Sequence, residues 1–164
     1  MAAQQLPQPP AGYGPSGADV VVDAAGVLSP ATIARINSLA WELRQKTGGE
    51  LAVVTLPDLG GRDPAEVALR IGREWGVGAS APIGSRVRNA GVVVLVVPKE
   101  TSADGRGHVR IEVGRGAEGF PAVRSWPRTG SRPWSWSRAT GSAAAAQPTR
   151  WRVSISTWGR AWWR

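Results

Sequence analysis

Two apolar runs constrain the fold of this chain more than any other feature. Gly91–Val97 reads Gly-Val-Val-Val-Leu-Val-Val, and residues 50–56 are almost as apolar. Runs of this length that are rich in β-branched residues and bounded by Gly or Pro are typical of strands covered on both faces, as in parallel sheets. Parallel strands need a helical crossover between them. The sequence therefore predicts an α/β fold with Gly91–Val97 as its central strand.

Capping residues and apolar spacing predict two helices. Ser29 and Pro30 fit an N-cap and a first helical residue, and two glycines at 48–49 follow the last turn. Asp63 precedes a second start, with Glu66 three positions on, as in a capping box. Apolar residues follow each start at helical spacing: Ile33, Ile36, Leu39, Ala40 and Leu43 in the first, and Val67, Ala68, Ile71 and Trp75 in the second.

The order of elements predicts the architecture. A short β-branched strand at 19–23 and an alternating strand at 108–113 complete the order β-α-β-α-β-β. This order predicts an α/β/α sandwich, with a mixed sheet of about four strands and helices packed on it. A third helix should follow Gly119 to close the second layer, but Pro121 stands there. We therefore expect a sandwich that is incomplete at its C-terminus, with an apolar sheet face bared and poor solubility.

Charge divides the chain at Phe120. Residues 1–120 carry 12 basic and 12 acidic side chains, whereas residues 121–164 carry eight Arg and no acid and so account for the net charge of +8. The same tail holds seven of the nine Trp and shows no helical or strand period. GC-rich codons read out of frame give such a composition. We therefore predict a frameshift after Phe120 and a disordered Arg/Trp-rich tail over 121–164.

The Arg and Trp residues of the tail raise the question of nucleic-acid binding. Arg binds phosphates and Trp stacks on bases, but a specific site needs these side chains on a folded platform. We expect nonspecific, salt-sensitive binding that disappears when residues 121–164 are deleted, and no specific nucleic-acid partner.

The N-terminal residues 1–18 contain four Pro and three Gly, which predicts a linker. Residues 1–10 have neither the basic nor the apolar region of a signal peptide, and the chain has no apolar run of about 20 residues. We expect the intact gene product to begin upstream. The absence of Cys and the single histidine, His108, exclude disulfides, Cys-ligated zinc and two-His metal motifs.

Three side chains are candidate ligands of a hard cation: Asp23, Asn89 and Glu118. Asp23 ends the first strand, where its carboxylate can bind a cation at the sheet edge or accept N–H groups of the 24–26 turn. Asn89 precedes the central strand and offers an amide oxygen or an Asx-turn. Glu118 offers a second carboxylate or a favourable interaction with the dipole of a following helix. Because Ca²⁺ takes 6–8 oxygens, backbone carbonyls and water would supply the rest.

No catalytic nucleophile and no cofactor-binding residue can be assigned. A G-x-G-x-x-G motif at 114–119 follows a strand, but no second βαβ strand or downstream acid follows to hold a ribose. Its glycines therefore predict positive φ and a close turn. His108 is predicted to be an exposed strand residue.

Four blocks of the sequence resemble the TPM-domain family. They are 22–29 (Val-Asp-Ala-Ala-Gly-Val-Leu-Ser), 47–55 (Thr-Gly-Gly-Glu-Leu-Ala-Val-Val-Thr), 88–97 (Arg-Asn-Ala-Gly-Val-Val-Val-Leu-Val-Val) and 110–120 (Arg-Ile-Glu-Val-Gly-Arg-Gly-Ala-Glu-Gly-Phe). The resemblance covers residues 19–120 and predicts a truncated TPM-like domain over that range. The family pattern continues with Thr-Asp and a helix, where this chain has Pro121 and Ala122.

The resemblance implies an α/β sandwich that is exported to the periplasm or cell envelope. Members of the family include acid-phosphatase-like proteins, photosystem II repair factors, bacterial envelope proteins and modulators of membrane receptors. It also implies binding of Ca²⁺ or Mg²⁺, and a metal-dependent phosphatase that hydrolyses a phosphate ester. The alternative is a non-catalytic binding module that assists the assembly or repair of membrane protein complexes.

Overall fold

The computed structural model describes residues 5–14, 17–78, 85, 89–119 and 151–157. Its elements in chain order are β1 (Val21–Asp23), α1 (Pro30–Thr47), β2 (Glu50–Thr55), α2 (Pro64–Glu74), β3 (Gly91–Val97), β4 (Gly107–Val113), a 3-10 helix (Arg115–Gly119) and β5 (Trp151–Thr157).

These strands form one sheet in the order β1-β2-β3-β4-β5. Strands β1, β2 and β3 are parallel, β4 is antiparallel to β3, and β5 is parallel to β4. The predicted α/β fold with a mixed sheet is confirmed, and β1–β4 are the four strands expected from the sequence. The segment directly after Gly119, where the sequence predicts that a third helix is missing, lies outside the described residues.

The helix boundaries follow the capping residues. The Ser29 hydroxyl accepts the backbone N–H of Thr32 at 3.1 Å, and α1 ends at Gly48, whose φ of 69° is left-handed. The Asp63 carboxylate accepts the N–H groups of Ala65 at 2.7 Å and Glu66 at 3.3 Å. Both predicted helices therefore begin where their polar caps satisfy otherwise unpaired N–H groups.

One face of the sheet, which we call face A, carries the main hydrophobic core. The β1-α1-β2 and β2-α2-β3 connections move the same way across the sheet, so right-handed crossovers put both helices on one face. The Arg44–Glu50 ion pair, at 3.3 Å, ties α1 to a strand position on that face. The main core joins Ala52, Val54, Val93, Leu95 and Val97 of the strands to Val67, Ala68, Ile71 and Trp75.

The opposite face, face B, carries a smaller cluster. Ala117 of the 3-10 helix packs there with Ala90, Val92 and Val113. Val53 of this face is also buried, whereas other apolar side chains of the face are half-buried: Leu51, Val94, Val96, Val109 and Ile111. Within the described ranges, α-helices cover face A alone.

Part of the segment predicted as a linker over 1–18, between residues 5 and 14, packs against the domain. Leu6 is 5% exposed and belongs to the main core. The indole Nε1 of Trp75 donates a hydrogen bond to the Pro7 carbonyl at 3.0 Å. Proline and glycine content predicted an extended, irregular chain, but a single leucine is enough to anchor it to an apolar surface.

Within the tail predicted to be disordered over 121–164, Trp151–Thr157 forms the strand β5 beside β4. A local signal for this strand is present, since the apolar residues Trp151, Val153 and Ile155 alternate with polar ones. The rest of the tail lies outside the described residues. Neither α1 nor α2 has the length and apolarity required of a bilayer-spanning helix.

Candidate functional site

The parallel strands define two edges of the sheet with different chemistry. Asp23 of β1 lies beside Thr55 of β2, which pairs with Val96 of β3. These three positions, together with the start of β4, form what we call the carboxyl edge. Ligand sites of open α/β sheets lie in the loops that follow this edge.

The structure does not bring the three predicted cation ligands together. Asp23 lies at the carboxyl edge, whereas Asn89 immediately precedes β3 and Glu118 follows β4, so both lie at the opposite, amino edge. The length of β2 separates the edges by roughly 16 Å at about 3.3 Å per residue. The three residues therefore lie at two different edges of the sheet.

The Asp23 carboxylate closes the turn between β1 and α1. It accepts the backbone N–H groups of Leu28 at 2.8 Å and Val27 at 3.2 Å, together with the Thr55 hydroxyl. Partial burial raises the pKa of Asp23, but these hydrogen bonds outweigh it and leave the pKa below its usual value. Asp23 is thus an ionised turn-closing residue, with N–H partners at Gly26 in the turn and at Val27 and Leu28 after it.

Asp58 is a carboxylate at the carboxyl edge that sequence analysis missed. It follows β2 and accepts the N–H groups of Gly60 at 2.6 Å and Ala103 at 2.8 Å, so it joins two loops. The hydrogen bonds from Ala103 and Gly60 lower the pKa of Asp58, while burial and the neighbouring charge of Asp104 act in the opposite direction. Its position after the carboxyl end of a parallel strand was the available signal.

Asp104 lies in the loop between β3 and β4. It accepts the Ser102 hydroxyl at 2.6 Å and the Arg106 N–H at 2.8 Å, and lies 3.1 Å from Nε2 of His108. These bonds, led by that of Ser102, lower the pKa of Asp104 to about 2. The order Ser-Asp-His cannot act as a nucleophilic triad, because there the histidine must lie between the hydroxyl and the carboxylate. His108 is on a strand, as predicted, but half-buried.

Asn89 and the glycines around it form a crowded turn at the amino edge. Asn89 has a left-handed φ of 62°; its N–H donates to the Gly78 carbonyl at 2.8 Å and its carbonyl accepts the N–H of Gly116 at 3.1 Å. A Cβ at Gly114 would overlap the Asn89 carbonyl oxygen, and one at Gly91 would lie 2.5 Å from the Val77 oxygen. The close turn predicted from the glycine motif is therefore present at Gly114 as a close backbone approach, but the predicted positive φ is not found at Gly114 or Gly116.

A cleft of about 200 Å³ lies beside the carboxyl edge. Asp58 and Arg62 supply its charged lining, and Leu6, Pro7 and Ala24 are among its apolar walls. The Arg62 Nε donates to the Leu59 carbonyl at 2.9 Å, which orients the guanidinium. The cleft thus combines one fixed anion and one fixed cation with apolar surface.

A comparison of the sequence with protein-family models identifies the family of this chain. The family model for the TPM domain matches residues 21–125, well over half of the chain. The chain belongs to the TPM-domain family. No curated protein matches it. The solution NMR structure of the N-terminal domain of a protein from P. gingivalis is similar, with 33% identity and a TM-score of 0.49, over 62% of this chain and 57% of that one. This chain therefore spans little more than half of that relative.

Two carboxylates of this TPM domain lie in neighbouring loops at the carboxyl edge. Asp58 and Asp104 are ionised, fixed by hydrogen bonds and close enough to influence one another. Oxygen donors of this kind suit Ca²⁺ or Mg²⁺. Within the described ranges no three His, Cys, Asp or Glu side chains group as a metal site, so the aspartate pair would depend on carbonyls and water for its other ligands.

Proposed function

We propose that this TPM domain binds a divalent cation, Ca²⁺ or Mg²⁺, at the carboxyl edge, with Asp58 and Asp104 as its carboxylate ligands. The observation that carries the proposal is their placement in neighbouring loops, linked by the hydrogen bond from Ala103 to Asp58. Both stay ionised at neutral pH because hydrogen bonds lower their pKa values. Two fixed anions side by side repel one another, and a cation between them relieves that repulsion.

Each ligand retains room for a metal. The two oxygens of Asp58 accept one backbone N–H each, and Oδ2 of Asp104 is paired with His108. A carboxylate has about four lone-pair positions, so both groups can accept a further bond. With two carboxylates the affinity should be low, in the range of about 0.1–1 mM typical of calcium modules outside the cell. We also propose that this protein is exported, and such an affinity suits that location.

The test is a calcium titration of the full chain by calorimetry, with melting temperature as a second readout. We expect Ca²⁺ to raise the melting temperature of the wild type, since a ligand of the native state stabilises it. Asp58→Asn and Asp104→Asn should each weaken binding at least about tenfold by removing a carboxylate. Glu42→Gln, which removes an exposed acid on α1, is the matched control and should bind as the wild type. Equal affinity in all four proteins would refute the site.

Hydrolysis of phosphate esters is the second candidate function. Arg62 lines the same cleft as Asp58, so a guanidinium and a bound metal could hold a phosphate together. A phosphatase assay with Ca²⁺ or Mg²⁺ should then show activity that requires the metal and falls in Arg62→Gln. Metal binding without hydrolysis would instead favour the binding module, for which assistance to membrane protein complexes is the proposed role.

A further inference from the structure

The N-terminal arm, which we define as residues 5–10, reads Gln-Leu-Pro-Gln-Pro-Pro. Three prolines in six residues favour the polyproline II conformation, which has no internal hydrogen bonds and leaves its carbonyls available. Leu6 is 5% exposed and lies in the cluster that contains Leu59 and Ile71. The arm is therefore a proline-rich segment anchored in the domain by one leucine.

An aromatic side chain recognises the backbone of this arm. Trp75, at the C-terminal end of α2, is 7% exposed and donates its indole Nε1–H to the Pro7 carbonyl at 3.0 Å. The ring of Tyr13 meets that of Trp75 edge-on, with centroids 5.3 Å apart. A ring N–H on a carbonyl beside an apolar pocket is how aromatic-lined grooves bind proline-rich segments. We call this surface the Trp75 groove.

The chain that follows the arm is held independently. Tyr13 donates its backbone N–H to the Pro10 carbonyl at 2.9 Å, which makes a turn where the arm ends. Beyond that turn, Arg44 donates to the carbonyls of Gly14 and of Gly17, the latter at 3.3 Å, while also pairing with the buried Glu50. The arm can therefore leave the groove without releasing Tyr13 or β1.

We infer that the Trp75 groove is a binding site for a Leu-Pro-containing, proline-rich segment of a partner protein, and that the arm occupies it in cis. This function differs from cation binding, although Leu6 and Pro7 of the arm also line the cleft that contains Asp58. A short tether gives the arm an effective concentration of the order of millimolar, so a partner binds well only when the arm is weakened or outcompeted. The specificity elements are the leucine pocket and the indole donor.

The test uses the full chain and a fluorescein-labelled peptide, Gln-Leu-Pro-Gln-Pro-Pro, followed by fluorescence anisotropy. Leu6→Ala removes the anchor of the arm and should bind the peptide at least about tenfold more tightly than the wild type, since the competitor in cis is weakened. Leu39→Ala removes a leucine that is 53% exposed on α1 and is the control; it should match the wild type. Failure of Leu6→Ala to bind the peptide better than this control overturns the inference.

Two further measurements test the specificity. A peptide with alanine in place of leucine should not bind, and Trp75→Phe in the Leu6→Ala chain should weaken binding roughly fivefold, the value of one hydrogen bond, because the ring stays and the donor is lost. Unchanged affinity in either case overturns the inference.

Wild-type protein provides a readout that does not depend on the folding of a variant. With the peptide in excess, NMR should show the Leu6 methyl resonances moving towards solvent-exposed values as the arm is displaced. Unmoved resonances at saturating peptide overturn the proposal. A concentration-dependent dimer that Leu6→Ala abolishes would show that the arm of a second copy is the natural ligand, and would overturn its assignment to a partner protein.

Discussion

Single residues decide whether the amino edge of the sheet can close. Asn89 adopts a left-handed φ of 62°, and the backbone passes so close to Gly91 and Gly114 that neither has room for a Cβ. Asparagine tolerates this conformation better than most side chains, and glycine carries no penalty there. The role of Asn89 is therefore that of a turn residue, remote from Asp23.

The geometry of this turn predicts how substitutions change the free energy of unfolding. Asn89→Gly should leave the free energy of unfolding within about 1 kcal/mol of the wild type, because glycine adopts a left-handed φ freely. Gly114→Ala should lower it by about 1–3 kcal/mol, since its methyl group meets fixed backbone. Gly26→Ala is the control: Gly26 has a φ of 67°, and an added Cβ would contact nothing. Its change in unfolding free energy therefore measures the cost of positive φ without crowding. Urea denaturation measures all three, and a harmless Gly114→Ala would contradict the crowding.

The lowered pKa values of the aspartates predict the pH dependence of stability. Asp104 has a pKa of about 2, and the pKa values of Asp23 and Asp58 also lie below normal. In the unfolded chain these groups take up protons near pH 3.9, before the native state does. Stability should therefore be full above about pH 4 and fall as pH drops towards 2. Thermal melts across this range should show a shallower decline in Asp104→Asn than in the wild type.

The two helices contribute unequally to the fold. In α1, which is 18 residues long, Ala40 is the buried residue, whereas Leu39 and Trp41 are 53% and 44% exposed. The 11-residue α2 buries Val67, Ala68, Ile71 and Gly72 in the main core. Burial of apolar area rather than helix length sets how firmly a helix is held. Helix α2 is therefore the main support of face A.

This asymmetry is testable by mutation and by exchange. Ile71→Ala should cost about 2–5 kcal/mol of unfolding free energy, because it leaves a cavity beside β3. Leu39→Ala, on the exposed side of α1, should change it by less than about 0.5 kcal/mol. Hydrogen exchange should release the amides of α1 before those of α2. Equal costs for the two substitutions would argue against the packing described for α2.

At the scale of the whole molecule, the excess positive charge and the acidic edge of the sheet lie in different parts of the chain. The family match ends at residue 125, while the entire excess of +8 lies beyond residue 120. The carboxyl edge of the described domain is acidic, with Asp23, Asp58 and Asp104. A high isoelectric point would suggest an anionic partner for the whole protein, whereas the cation that we propose as a ligand would bind at the acidic edge of the domain.

Deleting residues 121–164 should therefore remove nonspecific DNA binding without removing calcium binding. DNA binding by the full chain should weaken steeply with salt, since it rests on arginine–phosphate contacts and counterion release. Calcium binding should persist because Asp58 and Asp104 lie before the deletion. Filter binding across a salt series and calorimetry on the same two proteins measure both. DNA binding that survives the deletion would place the contact in the domain.

The limits of sequence analysis appear most clearly at the candidate site. Asp23 was found because it ends a recognisable strand, and its turn-closing role was one of the two alternatives considered. Asn89 and Glu118 were assigned to the same site although they lie at the other edge, because a sequence pattern does not give the direction of a strand within the sheet. Asp58 and Asp104 lie in polar loops, and these loops meet only because β2 pairs with β3 and β3 forms a hairpin with β4.

The sequence by itself determined the helices, their caps and the four strands β1–β4, since these depend on side-chain periodicity and on hydrogen bonds between near neighbours. Tertiary structure alone decided which loops share an edge, that Leu6 anchors the arm, and that Trp151–Thr157 pairs with β4. These features depend on contacts between residues far apart in the chain, which local patterns do not encode.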